Sequence, residues 1–365
     1  MLTVDVPLGD RAYPIHLGPG LLSQAGALVR ARVRGRCVVV ADATVARLHG
    51  ATLMASLGAA GVTADLVEFP AGEPSKSLAT ADRLWQDCAR LKLDRSGAII
   101  ALGGGVSGDL AGYVAACWMR GVTFIQIPTT LLAMVDSSVG GKTGVNSAAG
   151  KNLIGAFKQP ALVLADTDTL ATMDQREYAA GLAEILKYGV IKDAAFLAWQ
   201  EAHAEALAAR ESAAVAHAVA VSCRTKAWYV ATDEFETGVR AHLNYGHTFG
   251  HALERDTGYT RYLHGEAVGI GMRMAAHLAQ AMGLLPDGDL ARRQDALLRR
   301  YGLPLTHGVA EVAATAKRLA GFCALDKKVD AGRTRFVLPR GAGTVEVVTG
   351  PDAALVEAAF AGGME

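Results

Sequence analysis

Short apolar runs punctuate the first half of the chain. Cys37-Val38-Val39-Val40, Leu66-Val67-Glu68-Phe69, Ala98-Ile99-Ile100-Ala101-Leu102, Phe124-Ile125-Gln126-Ile127 and Leu162-Val163-Leu164 are too brief for helices. They are also too continuously apolar for strands with one wet face. Alternating with helical stretches, they predict buried, largely parallel strands, because a parallel sheet is covered by helices on both faces. Ahead of them, residues 1–17 alternate apolar and polar positions about Gly9-Asp10, the pattern of a hairpin. From about Asp174 the character changes to long alanine- and leucine-rich helical segments, with one late strand pair at 335–338 and 344–348. The pattern predicts a Rossmann-like α/β domain with a mainly parallel sheet over 1–170, and a mainly α-helical domain over 171–365.

A length of 365 residues agrees with two cores. Lysine plus arginine balances aspartate plus glutamate at 36 each. No global field therefore recommends nucleic acid or an acidic membrane as partner, and a small-molecule site is the starting expectation. The five cysteines, Cys37, Cys88, Cys117, Cys223 and Cys323, are scattered, odd in number and free of CxxC spacing. That argues against a disulfide framework and a thiolate zinc site, and predicts reduced core residues. The N-terminus lacks the basic-then-apolar order of a signal peptide. The longest apolar stretches are interrupted by Asp109, or by Gln126 and Thr129, too soon to span a bilayer. A soluble cytoplasmic protein is expected.

Gly103-Gly104-Gly105-Val106-Ser107-Gly108-Asp109 follows a predicted strand and precedes a helical stretch, Leu110 to Met119. Backbone amides at such a helix start can receive a phosphate. Glycine-rich strand-to-helix turns also serve close packing, and the GxGxxG spacing does not separate the two uses. In an ordinary Rossmann domain this loop follows the first strand and an acidic residue comes about 20 positions later. Here the candidate acid, Asp42, ends an earlier strand. Gly141-Lys142-Thr143 copies the end of a Walker loop, but the required first glycine falls on Asp136, so this is no P-loop. What remains is a cluster, Gly140-Gly141-Lys142-Thr143-Gly144-Val145-Asn146 followed by Lys151-Asn152, whose cations and amides suit a phosphorylated ligand.

Spacing nominates His247 and His251, four apart on one helical face, as a metal pair. It leaves open whether His264, Glu254 or Glu266 completes the set. Upstream, Glu184 and Lys187 stand three apart on one helix face. Leu182, Ala183, Ile185 and Leu186 surround Glu184 with apolar neighbours, and a buried carboxylate requires a metal or a cation. One glutamate plus two histidines with an open position is a catalytic zinc arrangement.

Several stretches resemble the dehydroquinate synthase family of sugar phosphate cyclases. From Ala101 to Ala156 they include Gly103-Gly104-Gly105, Gly108-Asp109-Leu110-Ala111-Gly112, Arg120-Gly121, Gln126-Ile127-Pro128-Thr129-Thr130, Val135-Asp136-Ser137-Ser138 through Asn146, and Gly150-Lys151-Asn152. Farther on come Ala180-Gly181 through Lys187-Tyr188-Gly189, Asn244-Tyr245-Gly246-His247-Thr248-Phe249-Gly250-His251, His264-Gly265-Glu266 and Asp326-Lys327-Lys328. The resemblance implies a dehydroquinate synthase-like fold and zinc, or cobalt in its place, on Glu184, His247 and His264, with His251 moved to the substrate. It implies NAD on Asp42, Glu73, Lys76, the loop Gly105, Val106, Ser107, Gly108 and Asp109, then Thr129, Thr130, Lys142, Lys151, Thr169, Leu170, Ala171 and Thr172. Substrate falls to Asp136, Lys142, Asn152, Lys187, Lys226, Arg240, Asn244, His251 and Lys327. Arg120 is implied to reach the phosphate from a neighbouring subunit, hence a homodimer. Two departures stand beside contact residues: Ser147-Ala148-Ala149, where the family often has a proline, and Trp118-Met119 before Arg120.

The implied reaction takes 3-deoxy-D-arabino-heptulosonate 7-phosphate to 3-dehydroquinate and phosphate. Phosphate beta to an unactivated carbon-hydrogen bond leaves with difficulty; transient oxidation by NAD acidifies that bond, and the hydride then returns. Intramolecular aldol closure needs little beyond a template. Rival readings are a cyclase for sugar phosphates lacking the carboxylate that Arg240 and Lys226 would grip, a metal-dependent polyol dehydrogenase, and a non-catalytic nucleotide-binding regulator.

Overall fold

The computed structural model describes residues 1–324, 329–330 and 333–364. It divides into two compact units, 1–174 with 215–234, and 175–214 with 235–365. The composition change near residue 170 marks where the first unit's sheet ends. The stretch 215–234 is alanine-rich like the second unit's helices, yet it packs with the first.

In the first unit a seven-stranded sheet is built from β1 (Leu2–Val6), β2 (Tyr13–Gly18), β3 (Cys37–Asp42), β4 (Ala64–Phe69), β5 (Ala98–Gly103), β6 (Thr123–Pro128) and, after an inserted hairpin, β9 (Leu162–Asp166). Their order across the sheet is β1-β2-β9-β6-β5-β3-β4. All pairs are parallel except β1 with β2, the hairpin expected from the N-terminal alternation. Val38 to Ala41 and Ala98 to Leu102 are buried throughout, as continuous apolar runs require. The α/β reading of this half holds.

The inserted hairpin, β7 (Lys142–Ser147) and β8 (Gly150–Phe157), went unread in the sequence, where these residues stood as a lysine and glycine cluster. Glycine is depleted in strands, but here Gly144 faces Gly155 across the ladder. A Cβ on Gly144 would lie 2.6 Å from the Ile154 carbonyl oxygen, and one on Gly155 would collide with that of Thr143. Because Lys142 opens a strand, the Walker lookalike has no helix to cap.

The second unit is mainly helical, with a small sheet of β10 (Val329–Asp330), β11 (Arg333–Gly341) and β12 (Thr344–Thr349). Glycine sets its packing. The Gln175–Ile191 and His264–Ala281 helices approach so closely that a Cβ on Gly265 would collide with the Ala180 carbonyl oxygen. On the His264–Ala281 helix, a Cβ on Gly271 would collide with the Gly246 carbonyl oxygen and lie 2.7 Å from the Gly250 amide nitrogen of the His247–Asp256 helix. Three helices thus converge backbone to backbone.

Four of the five cysteines are buried, as expected of core residues, but Cys117 is exposed at the end of its helix. Among the described residues no helix is long and apolar enough to cross a membrane.

Two glycines of one helix separate steric need from helix propensity. Each glycine-to-alanine change gains about 1 kcal/mol of propensity. At Gly269 the new methyl group meets only the end of the Leu298 side chain, at 3.2 Å. Gly269→Ala should therefore leave the thermal unfolding midpoint unchanged or raise it. Gly271→Ala should lower it, since overpacking against backbone costs about 1–3 kcal/mol or more.

Candidate functional site

Ligands of open α/β sheets bind beyond the carboxyl ends of the strands, where the strand order reverses. From β3 the chain steps to β4 on one side, then returns to lay β5 on the other, so the reversal lies between β3 and β5. Asp42 stands at the end of β3 and Gly103 at the end of β5. One Asp42 oxygen accepts from the Thr44 and Val45 amides at 2.9 and 3.0 Å, while the other faces Gly103. From Gly103 the chain turns into the Gly105–Cys117 helix, which begins five residues before the predicted Leu110. Gly104 occupies its N-cap and supplies no capping side chain, so the first-turn amides are open to an anion.

Packing explains some of these glycines and not others. A Cβ on Gly103 would collide with Ser107, and one on Gly108 would lie 2.8 Å from the Gln126 side chain. At Gly104 and Gly105 the nearest atoms belong to Thr130 and Ser137, no closer than 3.1 Å, and both glycines are partly open to solvent. The other nucleotide candidates gather at the same strand ends. Glu73 and Lys76 follow β4, Thr129 and Thr130 follow β6, and the turn holding Thr169, Leu170, Ala171 and Thr172 follows β9.

A polar network ties the hairpin to these turns. Buried Lys76 donates to Asp109 and Asn152, both at 2.5 Å. Burial pushes the Asp109 carboxyl up, against the pull of Lys76. Asn146 donates to Glu73 at 2.7 Å and accepts from the Asn152 amide at 3.0 Å, while its own backbone amide donates to the Lys76 carbonyl at 2.8 Å. Asn146 was quoted in the cluster but given no role; its signal was its place among glycines. Lys142 is exposed and Lys151 half-buried. On the Ser212–Thr232 helix, buried Lys226 donates to the carboxylate and the backbone oxygen of Asp136, each at 2.7 Å. Arg120 is exposed and sits, with Met119, in left-handed backbone at φ 66° and 50°, an uncommon consecutive pair for non-glycine residues.

The second unit brings Glu184, His247 and His264 together. Glu184 is 0% exposed. Among the described residues its carboxylate forms an ion pair with Lys187, but neither oxygen has a hydrogen-bond partner. Its Oε1 lies 3.6 Å from His247 Nε2 and 3.8 Å from His264 Nε2. Donors about 2.1 Å from a tetrahedral zinc stand about 3.4 Å apart, so the set fits such an ion. His247 Nδ1 lies 3.0 Å from the Tyr245 carbonyl oxygen. A carbonyl only accepts, so Nδ1 carries the hydrogen and Nε2 presents its lone pair toward Glu184.

The spacing pair is divided. His251 falls into a different group, with Glu254 and His264, while Glu266 is held by Arg176 and caps the Leu263 amide. Four residues of helix place His247 and His251 on one face, but a ligand from another helix decides which one points at Glu184. Arg240 is buried in the turn before the His247–Asp256 helix, and Asn244 donates to Glu236 at 2.6 Å. Lys327 lies outside the described residues.

The comparisons agree in one direction. Models of the 3-dehydroquinate synthase N-terminal and C-terminal families match residues 39–180 and 181–329. A 3-dehydroquinate synthase from Rhodospirillum rubrum is 54% identical over 344 residues, 93% of this chain and 89% of that one. Among solved structures, 2-epi-5-epi-valiolone synthase from Streptomyces hygroscopicus with NAD+ and Zn2+ bound is 31% identical, covering 95% of each chain with a TM-score of 0.85. A 2-deoxy-scyllo-inosose synthase complexed with carbaglucose-6-phosphate, NAD+ and Co2+ is 26% identical, covering 100% of each chain with a TM-score of 0.88. With both family models matched end to end across most of its length, the chain belongs to the 3-dehydroquinate synthase family.

Proposed function

We propose that this protein is a 3-dehydroquinate synthase, a carbon-oxygen lyase that converts 3-deoxy-D-arabino-heptulosonate 7-phosphate to 3-dehydroquinate and phosphate, as a step toward aromatic amino acids. The observation that carries the reading is the fully buried Glu184 carboxylate, two oxygens without hydrogen bonds beside two imidazole Nε2 atoms, in a chain of this family. A buried carboxylate so placed requires a cation.

Glu184, His247 and His264 hold zinc, with cobalt an alternative. NAD takes the strand ends: its phosphates meet the amides of Gly105 to Asp109, Asp42 takes a ribose hydroxyl, and Glu73, Lys76, Thr129, Thr130, Lys142, Lys151 and Thr169 to Thr172 complete the cradle. When bound, NAD would accept a hydride from a ring alcohol and return it, and the metal would polarise that alcohol. Lys142, Lys187, Lys327 and Arg120 stabilise charge on the departing phosphate. Arg240 and Lys226 grip the substrate carboxylate, while Asp136, Asn152, Asn244 and His251 fix its hydroxyl groups. The departing phosphate serves as base, in keeping with a site that lacks a paired general acid and base. Arg120 acts on the neighbouring subunit of a cytoplasmic homodimer.

Incubated with that substrate, catalytic NAD and zinc, the enzyme should release phosphate and 3-dehydroquinate in step with no net NADH. Sedoheptulose 7-phosphate and glucose 6-phosphate should not turn over. Steady NADH with intact phosphate would instead mean a dehydrogenase. Glu184→Gln should abolish turnover and reduce bound metal while the circular dichroism spectrum stays unchanged; full metal content with full activity would sink the zinc assignment. Neither Arg120→Ala nor Glu184→Gln should be active alone, yet refolding the two together should restore activity. In mixed dimers one site would pair an intact Glu184 with an intact Arg120, and a silent mixture would place Arg120 in its own subunit's site.

A further inference from the structure

An imidazole that ligates a metal through one nitrogen usually donates its other N–H to an oxygen, which fixes the tautomer, the ring orientation and the basicity. His247 has the Tyr245 carbonyl oxygen in that place. The corresponding atom of His264, Nδ1, lies 3.4 Å from Glu254 Oε1. Glu254 is 7% exposed, on the same helix as His247 and two turns farther along, which puts both on one face. His264 heads its own helix with a side chain 36% exposed, so neighbouring atoms hold its ring less firmly than that of His247, whose side chain is 11% exposed.

Resting on the reading of Glu184, His247 and His264 as the metal ligands, we propose that Glu254 is a positioning residue: its carboxylate receives the His264 Nδ1 hydrogen and turns Nε2 toward Glu184. Its negative charge also raises the electron density of the ring, strengthening Nε2 as a donor. Glu254 belongs as well to a second cluster, in which it, His251 and His264 offer donor atoms within 4.8 Å of one another. The partnering of Glu184 distinguishes the two arrangements. Both its oxygens are buried without a hydrogen bond, so the cation is required there, and the His264 nitrogen near Glu184 is Nε2. That leaves Nδ1 to carry the hydrogen, with Glu254 as its acceptor.

The test uses the full chain stripped of metal and titrated with Co2+ against a competing chelator, followed by the visible absorption of the bound ion. Glu254→Ala should raise the cobalt Kd about 10- to 100-fold while keeping the visible band of the wild-type ligand set. Glu254→Gln is nearly isosteric and its amide oxygen still accepts from Nδ1–H. It should recover most of the affinity, a rescue that a merely space-filling role would not distinguish from other residues of the same volume such as Glu254→Met. Wild-type affinity in Glu254→Ala overturns the proposal. So does loss of the band in Glu254→Gln to the extent seen with Glu184→Gln, which would make Glu254 a ligand in the second cluster. Unchanged cobalt binding in Glu184→Gln would fail differently, removing the ligand assignment on which the proposal rests.

Discussion

A carboxylate without exposure to water is the constraint around which the second unit is arranged. Leaving an ionised group buried costs several kcal/mol unless charge and hydrogen bonds surround it. Glu184 has one ammonium beside it and two imidazole nitrogens at ion-ligand range. Its helix otherwise buries apolar residues such as Leu182, Ala183, Ile185 and Leu186. A group so costly persists where a ligand repays it, and the donor set is that of a catalytic metal, with three protein ligands and room for a fourth.

The convergence of those donors depends on what the helices lack. Glu184, His247 and His264 lie on three separate helices, and side chains at the crossings would hold the helix axes apart. Gly265 against Ala180, and Gly271 against Gly246 and Gly250, remove those side chains. The first unit uses glycine to another end. At the strand termini Gly104 leaves helix amides open, and in the hairpin Gly144 and Gly155 let two strands lie close enough for Asn146 to reach Glu73. One residue type thus tightens a metal cluster and opens an anion cradle, according to which atoms a Cβ would displace.

The parallel sheet was legible because continuous apolar runs have few other uses, and Cys37, Ala98 and Phe124 each fall in the predicted strand. The start of the Gly105–Cys117 helix was not, because glycine has the poorest propensity after proline and only tertiary packing offsets it. The β7 and β8 hairpin was hidden for the same reason. In the site, helical spacing identified His247 and His251 as sharing a face, but a ligand supplied by a distant helix leaves no local period to read. Family motifs supplied Glu184 and His264 where spacing stopped. The return of 215–234 to the first unit was illegible, since its alanine-rich composition matches that of the helices in the second.

That return has a consequence for how the chain is made. Synthesis delivers the seven strands of the sheet early, yet Lys226, the partner of Asp136, follows only after forty residues of the other unit have emerged. The nascent sheet therefore waits on the ribosome with the Met134 and Asp136 region uncovered until the helix through Thr232 is released. Neither unit is a contiguous stretch of chain, so a cut at residue 174 yields no independent domain. Folding of the two halves is bound to one another in time, and a nucleotide-binding half could not have been exchanged between proteins by a single genetic crossover.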